Sequence, residues 1–143
     1  MSRLRPDRDP AWFNARMPGT LPGTLGVRVL DVGQGRASGE LRVREDLFAP
    51  NGYLHAATVV GLADTLAGYA CMAHLPEGAS GFTTIELKSN HVGTARDGTI
   101  VAELSAAHLG RTTQVWDAAV THRETGRAIA LFRCTQMVLW PQG

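Results

Sequence analysis

The chain has 143 residues, 44% apolar and 19% charged, and 14 basic against 13 acidic side chains leave a formal charge of +1. That length is one ordinary domain, able to bury roughly two-thirds of the surface its unfolded chain exposes. A balance so near neutral offers no general attraction for a nucleic-acid backbone or an anionic bilayer, so neither is an expected partner. The start of the chain (Arg3, Pro6, Asp7, Arg8) carries no apolar h-region, and no uninterrupted apolar run is long enough to span a bilayer, so neither a signal peptide nor a spanning helix is expected. Cys71 and Cys134 sit among apolar neighbours and form no CxxC, which reads as free buried thiols in a reducing, cytoplasmic setting.

Residues 1–23 read as a lead-in segment, loose over 1–8, with one short helix over 11–17. Asp9 caps that helix, Pro10 opens it, and Pro18 and Gly19 stop it. From Thr24 the alternation of Leu25, Val27 and Val29 predicts a strand, Gly33-Gln34-Gly35 a turn, and 39–43 a return strand. The third glycine falls one place too late for a dinucleotide loop, and a hairpin is the better reading. From His55 to about His74 strong helix formers dominate, and apolar residues cover nearly every face. That is the pattern of a helix buried all round, a rod of roughly 30 Å.

Four β-like runs follow, over 82–92, 99–108, 112–122 and 127–139. The breaks between them are Arg96-Asp97-Gly98, Leu109-Gly110-Arg111 and Glu124-Thr125-Gly126, spacing that predicts an antiparallel meander. The fold class is therefore α+β, a single domain over 1–143 in which an antiparallel sheet wraps one long central helix.

Asp64 is the feature of that helix that packing does not explain. Burying a carboxylate costs several kcal/mol unless it is neutralised or hydrogen-bonded. It reads either as a structural group facing hydroxyls or a subunit seam, or as a general base or nucleophile whose pKa burial raises. His55 opens the helix, where free N–H groups and the positive dipole end suit a developing oxyanion. The Ala56 amide is one such donor, and a plain capping role for His55 stays open. Asp64 lies nine residues after His55, so the two side chains leave the helix on opposite sides, about 13 Å apart along its axis. They can cooperate only if two such helices meet antiparallel across a two-fold axis. The five histidines are 14 to 19 residues apart with no local metal-ligand pair, and no Gly-x-Ser-x-Gly elbow occurs, so metal and serine-hydrolase chemistry are not expected.

The run His55-Ala56-Ala57-Thr58-Val59-Val60-Gly61-Leu62-Ala63-Asp64-Thr65 resembles the signature of hotdog-fold acyl-CoA thioesterases. It is most similar to the phenylacetate-pathway group that includes one class of 4-hydroxybenzoyl-CoA thioesterase. The likeness runs through Gly110-Arg111 and the ending over 130–139. It implies a hotdog fold and hydrolysis of an acyl-CoA thioester to acid and coenzyme A, without metal or organic cofactor. It also implies a homo-oligomer, a dimer or a dimer of dimers, with its site at the subunit interface. Asp64 would be the base or nucleophile, the Ala56 amide the oxyanion donor, and Thr84 the hydroxyl that positions water or substrate. Thr83 is the runner-up, since simple alternation puts it on the face of Ile85 and Leu87.

Two departures stand out. Ala56 and Ala57 replace two family glycines, and Ala49 occupies the place of an Asn or Gln six residues before the His, for which Asn51 is the candidate substitute. For coenzyme A the candidates are Arg111, whose guanidinium can pair with phosphate, with Gly110 and Thr112 beside it. The rival reading is a non-catalytic acyl-CoA-binding or regulatory hotdog protein, which the loss at Ala49 favours and the retained Asp64 opposes.

Overall fold

In the computed structural model, which describes residues 4–143, the first helix follows its sequence signals. Asp9 accepts from Trp12 N at 2.8 Å and Pro10 takes the first helical position of α1 (Pro10–Asn14), which ends earlier than expected. Residues 4–8 are tied down rather than loose. The Arg5 N–H donates to Ala73 O at 2.7 Å, and its guanidinium donates to Leu75 O and Pro76 O. The remainder of that expected loose end, residues 1–3, lies outside the described residues.

The strand expected from Thr24 starts later. Residues Leu21–Leu25 form a second short helix, α2, with a proline in its first turn and Gly26 at φ 82° closing it. A proline start and a left-handed glycine stop outweigh three alternating apolar residues. Strand β1 (Arg28–Gly33) then turns tightly through Gln34 and Gly35 into β2 (Arg36–Arg42), which starts at the turn itself rather than at Gly39.

Helix α3 (Ala56–Ala73) crosses the concave face of the sheet and touches all six strands. Leu62, Leu66, Ala67, Ala70 and Cys71 are fully buried there. Length and composition alone would let α3 cross a bilayer; its packed faces lie inside this fold instead. It is not buried all round, however. Ala56 and Ala57 are exposed, and Val60, Gly61, Asp64, Thr65, Tyr69 and Met72 are half-buried along one stripe at helical spacing. A sheet that curls around a helix covers an arc of it, and this stripe is the arc left over.

Strands β3 (Gly81–His91), β4 (Thr99–Leu109), β5 (Thr113–His122) and β6 (Ala128–Leu139) complete a sheet ordered β1-β2-β4-β5-β6-β3. The expected four-strand meander holds for β4–β6 only. Strand β3 sits at the far edge beside β6, and residues 92–98 cross about 14 Å of sheet to reach β4 rather than forming a hairpin. That crossover is clasped to the start of α3, since Leu54 N donates to Ala95 O at 3.0 Å and the Arg96 guanidinium lies 4.2 Å from the Tyr53 ring centre. The outer edge of β3 has no strand beside it among the described residues, and Ile85 and Leu87 on it are 54% and 41% exposed.

At the C-terminal end of α3 a buried polar chain ties the helix to the sheet. His74 accepts from Gly35 N at 2.9 Å through Nε2, so its proton sits on Nδ1, 2.7 Å from Ala70 O. Gln114 donates to His74 O and accepts from Trp116 Nε1. Burial holds the imidazole below its ordinary 6.5, so it folds as the neutral form. The stability it contributes is whole above 6.5 and is lost progressively as pH falls below that value. Thermal melts between pH 8 and 5 should show this loss. A His74→Gln variant should melt lower at pH 8 but with a smaller pH slope; an unchanged slope would mean that His74 does not titrate on unfolding.

Candidate active site

The start of α3 selects its own open donor. His55 caps the helix through its ring, with Nδ1 accepting from Ala57 N at 2.9 Å. Thr58 N and Val59 N both reach His55 O, at 2.9 and 3.4 Å. Of the four amides that a helix start leaves without partners, only Ala56 N–H makes no hydrogen bond among the described residues. The capping reading of His55 is therefore what the geometry contains, and a ring that accepts through Nδ1 carries its proton on Nε2.

That amide opens into a cleft of about 410 Å³ lined by Ala49, Asn51, Tyr53, His55, Ala56 and His91 among others. The cleft brings together three of the residues singled out from sequence, together with Ala49. Asn51 Oδ1 is occupied by Tyr53 N at 3.1 Å, so its amide NH₂ remains the group able to donate. His91, at the end of β3, and Tyr53 are lining residues that periodicity did not single out.

Asp64 belongs to a second cluster. It lies on the open stripe of α3, about 12 Å along the axis from Ala56. Its Oδ1 is buried without a hydrogen-bond partner among the described residues. Burial holds its carboxyl above the ordinary carboxylate range. Its charge reaches Cys134, whose thiol is pushed up to about 12, first by burial and then by the Asp64 charge. Such a thiol stays protonated and is no nucleophile at neutral pH.

Thr84 joins this cluster through a break in register. Thr84 pairs with Gln136 and Glu86 with Thr135, so Ile85 is an extra residue without a partner, a β-bulge. The bulge turns Thr84 and Leu87 to the α3 side, opposite Gln136 and Cys134, and leaves Thr83 opposite the outward Met137. The alternation that placed Thr83 with Leu87 is thus corrected, because a bulge shifts parity by one. Thr84 Oγ1 donates to Gln136 Oε1 at 2.7 Å. Sequence reasoning missed Gln136, although a polar residue in the inward row Phe132, Cys134, Gln136, Val138 was a signal to be had.

Gly110, Arg111 and Thr112 sit elsewhere, at the β4–β5 turn. Trp140 donates to Arg111 O at 3.2 Å, and the Arg111 guanidinium lies 4.3 Å from that indole's centre. This corner adjoins the start of β3, whereas the cleft adjoins its end, a strand length or about 35 Å away. Within one chain, Arg111 and Ala56 do not meet.

A sequence profile of the thioesterase superfamily matches residues 51–129, more than half of the chain and the whole of α3. The chain belongs to the thioesterase superfamily. It is 32% identical over 115 residues to a 1,4-dihydroxy-2-naphthoyl-CoA hydrolase of Listeria monocytogenes, covering 80% of this chain and 92% of that protein. Against the enzyme of the same name from Escherichia coli the identity is 31% over 130 residues, covering 89% and 92%. The crystal structure of a mutant of thioesterase PA1618 from Pseudomonas aeruginosa superposes with a TM-score of 0.89 at 28% identity, covering 95% and 97% of the two chains. The expected hotdog arrangement is therefore the fold of this thioesterase, and hydrolysis of acyl-CoA thioesters is its activity class.

The raised Asp64 fixes a stability test. A carboxyl whose folded pKa lies above its unfolded value contributes fully below about 3.8 and loses that contribution as pH rises through the folded value. Asp64→Asn should therefore raise the melting temperature at pH 7, and the difference should shrink as pH falls toward 4. A variant that melts lower than wild type at pH 7 would show that Asp64 is held by structural hydrogen bonds.

Proposed function

We propose that the protein hydrolyses an aromatic acyl-CoA thioester at sites shared between two subunits. In each, Asp64 of one subunit acts as base or nucleophile and the Ala56 amide of the other stabilises the oxyanion. The observation that carries this reading is the pair of unpartnered groups on one helix. An open amide and a buried, unpaired carboxylate lie about 12 Å apart, too far to meet one carbonyl from within a single chain. The aromatic acyl group rests on the two relatives named for 1,4-dihydroxy-2-naphthoyl-CoA. No metal or organic cofactor is needed, because thiolate is a stable leaving group and one good amide donor is worth about 3 kcal/mol in the transition state.

The two-fold is best supplied by the free edge of β3. A long edge strand carrying exposed Ile85 and Leu87 invites a second copy, and antiparallel pairing would extend the sheet without a break. Such pairing sets the end of one β3 against the start of the other. It thereby brings the partner's Arg111 corner to the side of the Ala56 cleft, where a guanidinium can meet the phosphates of coenzyme A. The reading treats 1–143 as one domain, and its two buried free thiols fit a reducing cytoplasm.

The observation favouring a binding protein is Ala49, which leaves the cleft without a side-chain amide at that wall. Thiol release from a panel of acyl-CoA esters, including 1,4-dihydroxy-2-naphthoyl-CoA, separates the two readings. Turnover of at least one ester supports hydrolysis, whereas saturable binding with no release across the panel supports the binder. Ala49→Gln should raise kcat by about tenfold if a carbonyl sits in this cleft, since it adds a donor; an unchanged kcat places the carbonyl elsewhere.

Shared sites predict complementation. Asp64→Asn should lower kcat by about a thousandfold while leaving acyl-CoA binding. Ala56→Pro deletes the amide at a first-turn position that accepts proline, and the extended His55 before it (φ −67°, ψ 136°) suits that neighbour. Mixing the two inactive homodimers with subunit exchange should restore roughly a quarter of wild-type activity, because half the dimers are mixed and each holds one intact site. Sites contained within one chain would give no recovery.

A further inference from the structure

We infer that Gln136 is a positioning residue for the hydrolytic water, holding the proton of the Thr84 hydroxyl so that Thr84 can only accept a hydrogen bond beside Asp64. This rests on the reading of Asp64 as the general base. Gln136 is fully buried in β6, in a row otherwise made of Phe132, Cys134 and Val138. A primary amide in that position costs free energy unless both its ends are used. Both are used here. Oε1 accepts from Thr84 Oγ1 at 2.7 Å, and Nε2 donates to Cys134 Sγ at 3.3 Å. In this orientation of the amide Nε2 faces the Cys134 sulfur and Oε1 faces Thr84, so the acceptor end is the one that meets the hydroxyl.

The chain of contacts therefore runs from Thr84 through Gln136 to Cys134, the residue that feels the Asp64 charge. Thr84 is exposed on the α3 side of β3, two residues on from Phe82, whose ring lies against Gly68 one helical turn from Asp64, and its proton points to Gln136. With Ile85 present, the bulge is what lets Thr84 and Leu87 both face inward, since pairing Ile85 in regular register would put them on opposite faces.

A hydroxyl with its proton committed complements a carboxylate. Water has two O–H bonds, and a molecule held between Asp64 and Thr84 gives one to each acceptor, which leaves a lone pair aimed outward at the thioester carbonyl carbon. In the attack, the water oxygen bonds to that carbon and its proton passes to the Asp64 carboxylate, while Thr84 keeps its own proton and accepts a hydrogen bond. Collapse of the tetrahedral intermediate breaks the C–S bond. The thiolate of coenzyme A departs and takes the proton from Asp64, leaving the carboxylic acid. Were Gln136 unable to accept, the Thr84 hydroxyl could turn its proton outward and compete with water for Asp64.

The test compares Gln136→Met, which keeps length and apolar fit but cannot accept, with Thr84→Val, Gln136→Glu and the double variant Gln136→Met/Thr84→Val. Steady-state kinetics of Gln136→Met should show kcat lowered by roughly ten- to a hundredfold with KM little changed. The double variant should be no slower than Thr84→Val alone, because both changes remove one function. Gln136→Glu restores an acceptor. It should recover most of the kcat lost in Gln136→Met, and its second carboxyl near Asp64 should move the acid limb of the kcat/KM profile to higher pH.

A purely structural glutamine would lower melting temperature without moving that limb. Wild-type kcat in Gln136→Met overturns the inference, as do multiplicative losses in the double variant. Should Gln136→Met fail to fold, wild-type kcat in Thr84→Val, a change at an exposed edge position, overturns it equally. Asp64→Asn run alongside separates the two claims. Full activity there sinks the general-base reading itself, whereas an inactive Asp64→Asn with an active Gln136→Met sinks only the role of Gln136.

Discussion

Everything in this thioesterase hangs on one packing contact, the seating of α3 in the curl of the sheet. The helix is built largely from Ala, Gly, Val and Leu, small enough for six strands to close around it, and its fully buried positions sit one and two turns apart. Closing a sheet around a rod leaves an arc uncovered, and Asp64 occupies that arc. The contact that builds the core around α3 thus also decides where a carboxylate can sit half-buried and unpaired. Fold and chemistry are fixed by the same geometry.

The polar groups follow a complementary logic of elimination. At the helix start, an imidazole cap and one carbonyl consume every early amide except that of Ala56. At the sheet, the inward-facing hydroxyl of Thr84 is already bonded to Gln136. Away from these places buried polar side chains are satisfied, the His74 ring by Gly35 N and Ala70 O and the Gln114 amide by His74 O and Trp116 Nε1. Reactive capacity is left at the few atoms whose neighbours do not use them, and at Asp64 burial sharpens it.

How much of this was legible in the sequence depends on the kind of signal. The long helix, the His55 cap and the isolated carboxylate at Asp64 are local features, written in composition and spacing, and the structure contains all three. The family follows from the same run of residues. The place of β3 was not legible, because strand order is a non-local choice made by α3, which carries the chain across to the opposite edge. The side on which Thr84 faces was hidden as well. A bulge is one extra residue in an otherwise good β-sequence, and nothing in Phe82-Thr83-Thr84-Ile85-Glu86-Leu87 announces which residue is the extra one. Helix α2 was missed where alternation was trusted over a proline start and a glycine stop.

The bulge also has a consequence for how such a chain can change length over generations. Ile85 is the one residue of its stretch that the pairing of β3 with β6 does not use. Lineages that drop it would iron the strand flat and still leave Thr84, Leu87 and Phe82 on their present faces, since the remaining residues already alternate correctly. A deletion of Thr84 would instead put Ile85 in the inward place and remove the hydroxyl. Length variation in this strand is therefore cheap at the bulge and costly away from it, and related chains aligned by shape rather than by letters should gather their gaps there.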